Sequence, residues 1–355
     1  MTIRRAVAVI TICLAVLLGY LVAWPVDIDP LPFEPEESPE MEGALEPNQD
    51  LRRGERVAEG KLVGPEDTEV DSRGRIYGGT ADGRIVRIDP DTEEVETFAR
   101  TGGRPLGMIF DDGGYLVTCV AGEGLLRIDP DGNIEPLVTE VDGSPLEFAN
   151  DLDIAADGTI YFSEASRRFG FAEYEADILE ARPHGRLLRY DPDRDDVEVV
   201  ADGFYFANGV AISEDETFVA VAETARYRVR RYWLEGEKAG TVDVMADNLV
   251  GFPDNLNRSS NGTFWLAIFT LRNPALDRVH RSPFAKRVVY RLPSFLQPRP
   301  EPYGLVVELD EDGEILRSFH DPGGEVFSGV TSAKERDGAL YFGTLEQEWL
   351  GRMEL

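Results

Sequence analysis

Short runs of alternating apolar and polar residues, closed by Asp-Gly or Asp-Pro turns, recur from residue 55 to the C-terminus. Three are nearly alike: Gly83-Arg-Ile-Val-Arg-Ile-Asp-Pro90, Gly124-Leu-Leu-Arg-Ile-Asp-Pro130 and Gly185-Arg-Leu-Leu-Arg-Tyr-Asp-Pro192. Such alternation marks a half-buried strand, and the turn residues end it. Each run follows a turn and a strand, as in Gly74-Arg-Ile-Tyr77 and Gly158-Thr-Ile-Tyr161. Weaker copies are Val229-Arg-Arg-Tyr-Trp233, Arg287-Val-Val-Tyr290 and Trp349-Leu-Gly-Arg352. No helix-period stretch of useful length interrupts them. Six units of about 40 to 60 residues, each with four short strands, predict an all-β six-bladed β-propeller. The last unit stops after its third strand. Residues 56–62 are expected to supply the fourth, closing the ring and removing a free edge.

The first residues follow another pattern. Residues 6–24 are apolar without interruption. At a rise of about 1.5 Å per residue this run can span a bilayer as an N-terminal transmembrane helix. Arg4 and Arg5 precede it, and no Lys or Arg follows until Arg52. That asymmetry predicts a cytoplasmic N-terminus, with the propeller in the periplasm or an extracellular or lumenal space. A cleaved signal peptide is the alternative. No convincing small-x-small site precedes Pro25, so a retained anchor is expected. Residues 25–54 are rich in Pro and Glu and predict a semi-rigid stalk. The expected organisation is a tip and anchor at 1–24, a stalk at 25–54 and a propeller at 55–355.

The candidate chemistry lies at one repeated position. Glu66, Asn150, Asn208 and Asp254 each sit eight residues before the turn residues Gly74, Gly158, Glu216 and Gly262. Two residues after each turn comes an apolar strand residue: Ile76, Ile160, Phe218 or Phe264. The two remaining units place Leu106 and Val330 in the slot. In a blade, this position starts the innermost strand at the mouth of the central channel. Four oxygen donors would converge there, although Asn and Asp also occur simply as turn residues. Oxygen-only donors with two carboxylates suit a hard cation, Ca2+ rather than Mg2+, with positions left for water or substrate. Phe148, Phe206 and Phe252 each stand two residues before a donor. They are either a substrate wall or channel-lining core. Two connections on the same face, about 164–183 and 270–286, are long enough to be lids or pocket walls.

Composition removes other classes. The net charge of -31 opposes nucleic-acid binding. Cys13 and Cys119 offer neither a disulfide framework nor a thiolate site. His184, His280 and His320 have no zinc-ligand spacing. No nucleophile elbow or Ser-His-Asp arrangement is evident.

Several motifs resemble one family. They are Leu62-Val-Gly-Pro-Glu66, Arg104-Pro-Leu-Gly107, Phe148-Ala-Asn-Asp151, Phe206-Ala-Asn-Gly209, Val221-Ala-Glu-Thr224, Gly251-Phe-Pro-Asp-Asn255 and His320-Asp-Pro. Across about residues 55–355 the chain resembles the strictosidine synthase-like, adipocyte plasma membrane-associated protein family. More distantly it is similar to gluconolactonase/regucalcin and paraoxonase enzymes. The resemblance implies a six-bladed propeller with calcium held by Glu66, Asn150, Asn208 and Asp254. It also implies hydrolysis of a small-molecule ester or lactone. Two positions depart from the pattern. Thr331 stands where the synthase has its glutamate, which argues against amine–aldehyde condensation. Leu106 stands where paraoxonases carry a histidine, which leaves Asp254 or Glu66, or a metal-bound hydroxide, as general base. Asn255 and Thr331 join Leu106 and the three phenylalanines as expected pocket residues. The rival class is a non-catalytic propeller stapled by calcium and used for binding.

Overall fold

The computed structural model describes residues 3–355, so the first two residues of the expected tip lie outside the described residues. Six four-stranded antiparallel sheets form the propeller. Blade one comprises Thr68–Val70, Ile76–Gly79, Arg84–Ile88 and Val95–Arg100. Blade two comprises Arg104–Phe110, Leu116–Ala121, Gly124–Ile128 and Ile134–Val138. Blade three comprises Ala149–Ile154, Ile160–Glu164, Gly185–Asp191 and Asp196–Phe204. Blade four comprises Ala207–Ile212, Phe218–Glu223, Arg228–Trp233 and Val242–Ala246. Blade five comprises Gly251–Arg258, Phe264–Leu271, Tyr303–Leu309 and Ile315–Pro322. Blade six comprises Val330–Arg336, Ala339–Thr344 and Leu350–Glu354, completed by Glu55–Val57.

Burial follows strand position. Leu116–Ala121 and Phe218–Glu223 are buried along their whole length, because a neighbouring blade covers each face. The outermost Val95–Arg100 and Asp196–Phe204 are mostly half-buried or exposed, with polar positions interleaved. The ring closes through Glu55 opposite Arg352, Arg56 opposite Gly351 and Val57 opposite Leu350. The closing strand is shorter than residues 56–62 because Ala58 and Gly60 take positive φ and turn the chain away.

The expected strand at residues 287–290 is corrected. Residues 287–290 are helical, and the third strand of blade five is Tyr303–Leu309. The long connections hold three short helices after the N-terminal helix α1 (Ile3–Ala23): α2 (Tyr174–Glu180), α3 (Pro274–His280) and α4 (Pro283–Tyr290). Asn273 and Ser282 cap α3 and α4 by accepting backbone amides, and Pro274 and Pro283 follow at the first helical position.

The stretch expected to be a stalk lies on the propeller. Ile28 and Leu51 are buried. The Leu31 amide donates to the Glu180 carbonyl (3.0 Å) and the Phe33 amide to that of His280 (2.8 Å). Asn48 Nδ2 donates to the Ser318 carbonyl (3.0 Å), and Arg52 Nε lies 2.6 Å from Asp321 Oδ1. A few apolar and charged residues within the acidic stretch are enough to strap it down. Preceding it, α1 is long and apolar enough to cross a membrane by length and composition.

Candidate metal centre and pocket

The inner strands bend where the slot residues lie. In blades two to six, pairing with the second strand shifts register at Pro105/Met108, Ala149/Leu152, Ala207/Val210, Pro253/Leu256 and Val330/Ser332. A bulge adds one residue to the strand and re-aims its side chains. Consecutive residues therefore serve different neighbours. The first faces the channel mouth and the second reaches the next blade.

Asp67 and Asp151 are second residues of this kind. Asp67 Oδ2 accepts the Met108 amide of blade two (2.9 Å), and Asp151 Oδ2 accepts the Val210 amide of blade four (2.8 Å). Blades two and four carry glycine at the equivalent position. A Cβ on Gly107 would lie 2.1 Å from Asp151 Oδ1, and one on Gly209 would lie 2.2 Å from the Leu256 nitrogen. Blades two and four need glycine there because the neighbouring inner strand passes too close for a Cβ. Lys334 completes this layer, with Nζ 2.8 Å from Asp67 Oδ2 and 3.5 Å from Glu69 Oε2. Burial pushes the Lys334 pKa down, but Asp67, Glu69 and Asp151 outweigh it and hold it above the ordinary lysine value.

On the lid side of this layer, Glu66, Asn150, Asn208 and Asp254 line one pocket of about 170 Å³ together with Leu106, Phe148, Phe206 and Phe252. Glu66 Oε2, Asn150 Oδ1 and Asn208 Oδ1 are buried without a hydrogen-bond partner among the described residues. Asn208 Nδ2 donates to Asp254 Oδ1 (2.7 Å) and Thr224 Oγ1 (3.1 Å), which fixes the amide. Asn255 and Thr331 do not line the pocket. They are buried behind Glu66: Asn255 Nδ2 donates to Glu66 Oε1 (3.2 Å), and Thr331 Oγ1 donates to the Glu66 carbonyl (2.5 Å). They position Glu66 instead of touching what enters the pocket.

Burial raises the Glu66 pKa well above the carboxylate range, and repulsion from Asp254, Asp67 and Asp151 raises it further. Asp254 is pushed up to about 7 by burial, against the Asn208 hydrogen bond that favours its charge and with Asp67 opposing it. Two carboxylates and three orphaned acceptors thus meet in an apolar setting. An unmet buried acceptor costs about 1–3 kcal/mol. A hard cation relieves both problems, and oxygen donors from four blades fit one of the calcium type. Among the described residues no cluster of three or more His, Cys, Asp or Glu offers a metal site. This centre is half amide, so only its repeat spacing marks it in the sequence.

The three phenylalanines act both as core and as wall. Phe148 packs edge-on against Phe206 (5.4 Å) and Phe171 (5.8 Å), and Phe252 against Tyr227 (4.9 Å). Phe206 has φ +64°, a left-handed conformation that is costly for a bulky residue. The lids add Phe171, Tyr174 and Ile178 from the first connection and Leu276 and Val289 from the second. These were not singled out from the sequence, where the aromatic content of residues 169–174 was the available signal. No histidine lines the pocket. His184 bonds Glu180 (2.8 Å), buried His280 packs on Phe33, and His320 bonds Tyr303 (2.9 Å). A larger cavity of about 850 Å³ opens at the other end of the channel, lined by paired charges such as Arg75 and Asp71, 2.6 Å apart.

Two family models match the chain, "Strictosidine synthase" over residues 150–237 and "Strictosidine synthase-like, N-terminal" over residues 43–88. The adipocyte plasma membrane-associated protein of Rattus norvegicus is 38% identical, over 96% of this chain and 96% of its own length. Among solved structures, a gluconolactonase from Xanthomonas campestris has a TM-score of 0.63 at 18% identity, covering 85% of this chain and 89% of that one. Regucalcin, a calcium-binding protein from Agrobacterium tumefaciens, has a TM-score of 0.58 at 14% identity, covering 84% of this chain and 92% of that one. At such identities the structural likeness establishes the fold.

Proposed function

We propose that this chain, which belongs to the strictosidine synthase-like, adipocyte plasma membrane-associated protein family, is a calcium-dependent hydrolase of esters or lactones anchored to a membrane by α1. The observation that carries this reading is the set of orphaned oxygens of Glu66, Asn150 and Asn208 beside Asp254 at the base of an apolar pocket. Those four residues would hold the ion. When bound, calcium would supply a Lewis acid toward a substrate carbonyl oxygen.

The chain's own residues account for the rest. Thr224 accepts from Asn208 and donates to the Pro253 carbonyl (2.7 Å), so the amide is oriented before any ligand arrives. Asn255 and Thr331 hold Glu66. Phe148, Phe206 and Phe252 exclude water and favour an apolar or aromatic substrate. Asp254 and Glu66 are the carboxylates able to take a proton from the attacking water. Thr331 offers no carboxylate to a condensation reaction. The named activity of the gluconolactonase neighbour and the named calcium binding of the regucalcin neighbour agree with this reading. The membrane assignment draws on α1 and on the relatives' name.

A panel of aryl esters and lactones, assayed with and without chelator, tests the proposal. Turnover that stops with chelator and returns with calcium supports it. A calcium-binding chain inactive across the panel would leave a binding module in its place.

A further inference from the structure

The lid over the pocket is charged against the rest of the molecule. Residues 271–300 contain seven Lys and Arg and a single acid, Asp277, in a chain of net charge -31. Three of the seven are spent inside the fold, Arg272 on the Glu36 carbonyl (2.9 Å) and Asn248 Oδ1 (2.5 Å). Lys286 Nζ is buried and donates to the Leu31 carbonyl (2.6 Å). Arg291 holds the end of α1: its Nη1 donates to the Leu21 carbonyl (2.8 Å) and its Nε to the Trp24 carbonyl (2.8 Å). The Tyr20 hydroxyl returns a bond to the Arg291 carbonyl (3.4 Å). The apolar helix therefore ends on the lid itself.

The outer surface of the same lid is basic and greasy. Arg278, Arg281 and Arg299 are exposed and make no ion pair among the described residues, whereas Arg287 is drawn to Asp29 at 3.5 Å. Phe284, Phe295 and Leu296 are 56%, 69% and 57% exposed. Bare aromatic and aliphatic side chains among free arginines are the composition of a segment that lies in a lipid interface. Arginine pairs well with phosphate, and basic clusters beside a membrane helix are attracted to acidic headgroups. Gln297, Pro298, Arg299 and Pro300 also line the pocket, so this surface is its rim.

We propose that this lid docks on the bilayer that α1 crosses. Arg278, Arg281 and Arg299 meet acidic lipid headgroups, and Phe284, Phe295 and Leu296 enter the interface. The pocket rim then faces the lipid surface. A membrane is favoured over a protein partner because Arg291 ties the lid to the apolar helix and the tether keeps the two surfaces together. The inference rests on the anchor reading above and is independent of the chemistry.

The test uses the full chain carrying Trp24→Phe and Phe295→Trp, reconstituted in phosphatidylcholine–phosphatidylglycerol vesicles with brominated acyl chains. Flotation reports the anchor and quenching of the new tryptophan reports docking. The expected result is flotation with strong quenching, most of which is lost in Arg278→Glu/Arg281→Glu/Arg299→Glu while flotation persists. A Leu316→Trp control at the far face stays unquenched. A chain that floats with an unquenched residue-295 tryptophan overturns docking and leaves the anchor standing. Equal quenching in pure phosphatidylcholine, or in the triple variant, overturns the headgroup contacts. Quenching of the Leu316→Trp control overturns the choice of face, and a chain that does not float overturns the anchor and the docking with it.

Discussion

Replacing Lys334 by methionine tests whether the channel layer beneath the candidate metal centre is held by charge. Lys334 is half-buried between blades six and one, and its ammonium compensates Asp67 at 2.8 Å and Glu69 at 3.5 Å. It also donates to the Met108 carbonyl, so three elements meet at one nitrogen. Methionine fills similar volume but leaves Asp67, whose side chain is almost fully buried, without its cation. Removing one partner of a buried pair costs about 3–5 kcal/mol. For a chain of this size that lowers the melting temperature by roughly 4–7 °C. Lys334 has a folded pKa raised above its unfolded value, so its contribution is fully present below the unfolded value of about 10.4. It is lost only as pH rises through the folded value. The parent–variant difference should therefore be held up to about pH 9 and shrink in stronger alkali, and it should narrow towards acid as Glu69 and Asp151, which Lys334 helps to keep charged, take up protons in the variant. Thermal melts across that range supply the measurement. The double variant Asp67→Asn/Lys334→Met should recover part of the loss, because the orphaned charge is gone. A Lys334→Met protein within about 1 kcal/mol of the parent, or a double variant worse than the sum of the singles, would refute the reasoning.

Three other outcomes follow from particular contacts. Gly209→Ala should destabilise by about 1–3 kcal/mol through overpacking, since its Cβ would meet the Leu256 backbone at 2.2 Å; an unchanged melt would contradict the contact. Phe206→Gly should be more stable than Phe206→Ala by about 1 kcal/mol, the reverse of the usual order, because φ is +64° there; denaturant titration ranks the two, and the ordinary order would remove the strain. Arg52→Ala should cost about 1.5–3 kcal/mol through its hydrogen bonds to Asp321 and the Pro322 carbonyl. It should also expose residues 43–54 to protease, and resistance equal to the parent's would mean that other contacts hold the strap.

The fold was legible because a propeller repeats itself. One eight-residue spacing recurs, and its turns, strands and channel positions can be found by matching copies. Asn150 and Asn208 became visible only through that repetition, since an amide alone announces nothing. What repetition did not cover was misjudged. Residues 287–290 carry strand-like Val-Val-Tyr, yet the Ser282 cap and Pro283 start a helix too short to show a clear period. The strap at 25–54 has the composition of a spacer, but Ile28, Leu31, Phe33 and Leu51 are enough to dock it. Thr331 and Asn255 lie next to slot positions in sequence and belong behind Glu66, because each bulge sends consecutive side chains to different neighbours. That division is a property of the backbone and has no residue signature.

Calorimetric titration of the full-length chain with calcium, beside Asp254→Ala and Asn208→Ala, bears most directly on the proposed centre. The account predicts one calcium per parent chain. Asp254→Ala should lose at least tenfold in affinity, about 1.4 kcal/mol, and more than Asn208→Ala, because the ion then keeps only one of its two carboxylates. Calcium binding of equal strength in all three proteins, or none in the parent, would contradict it.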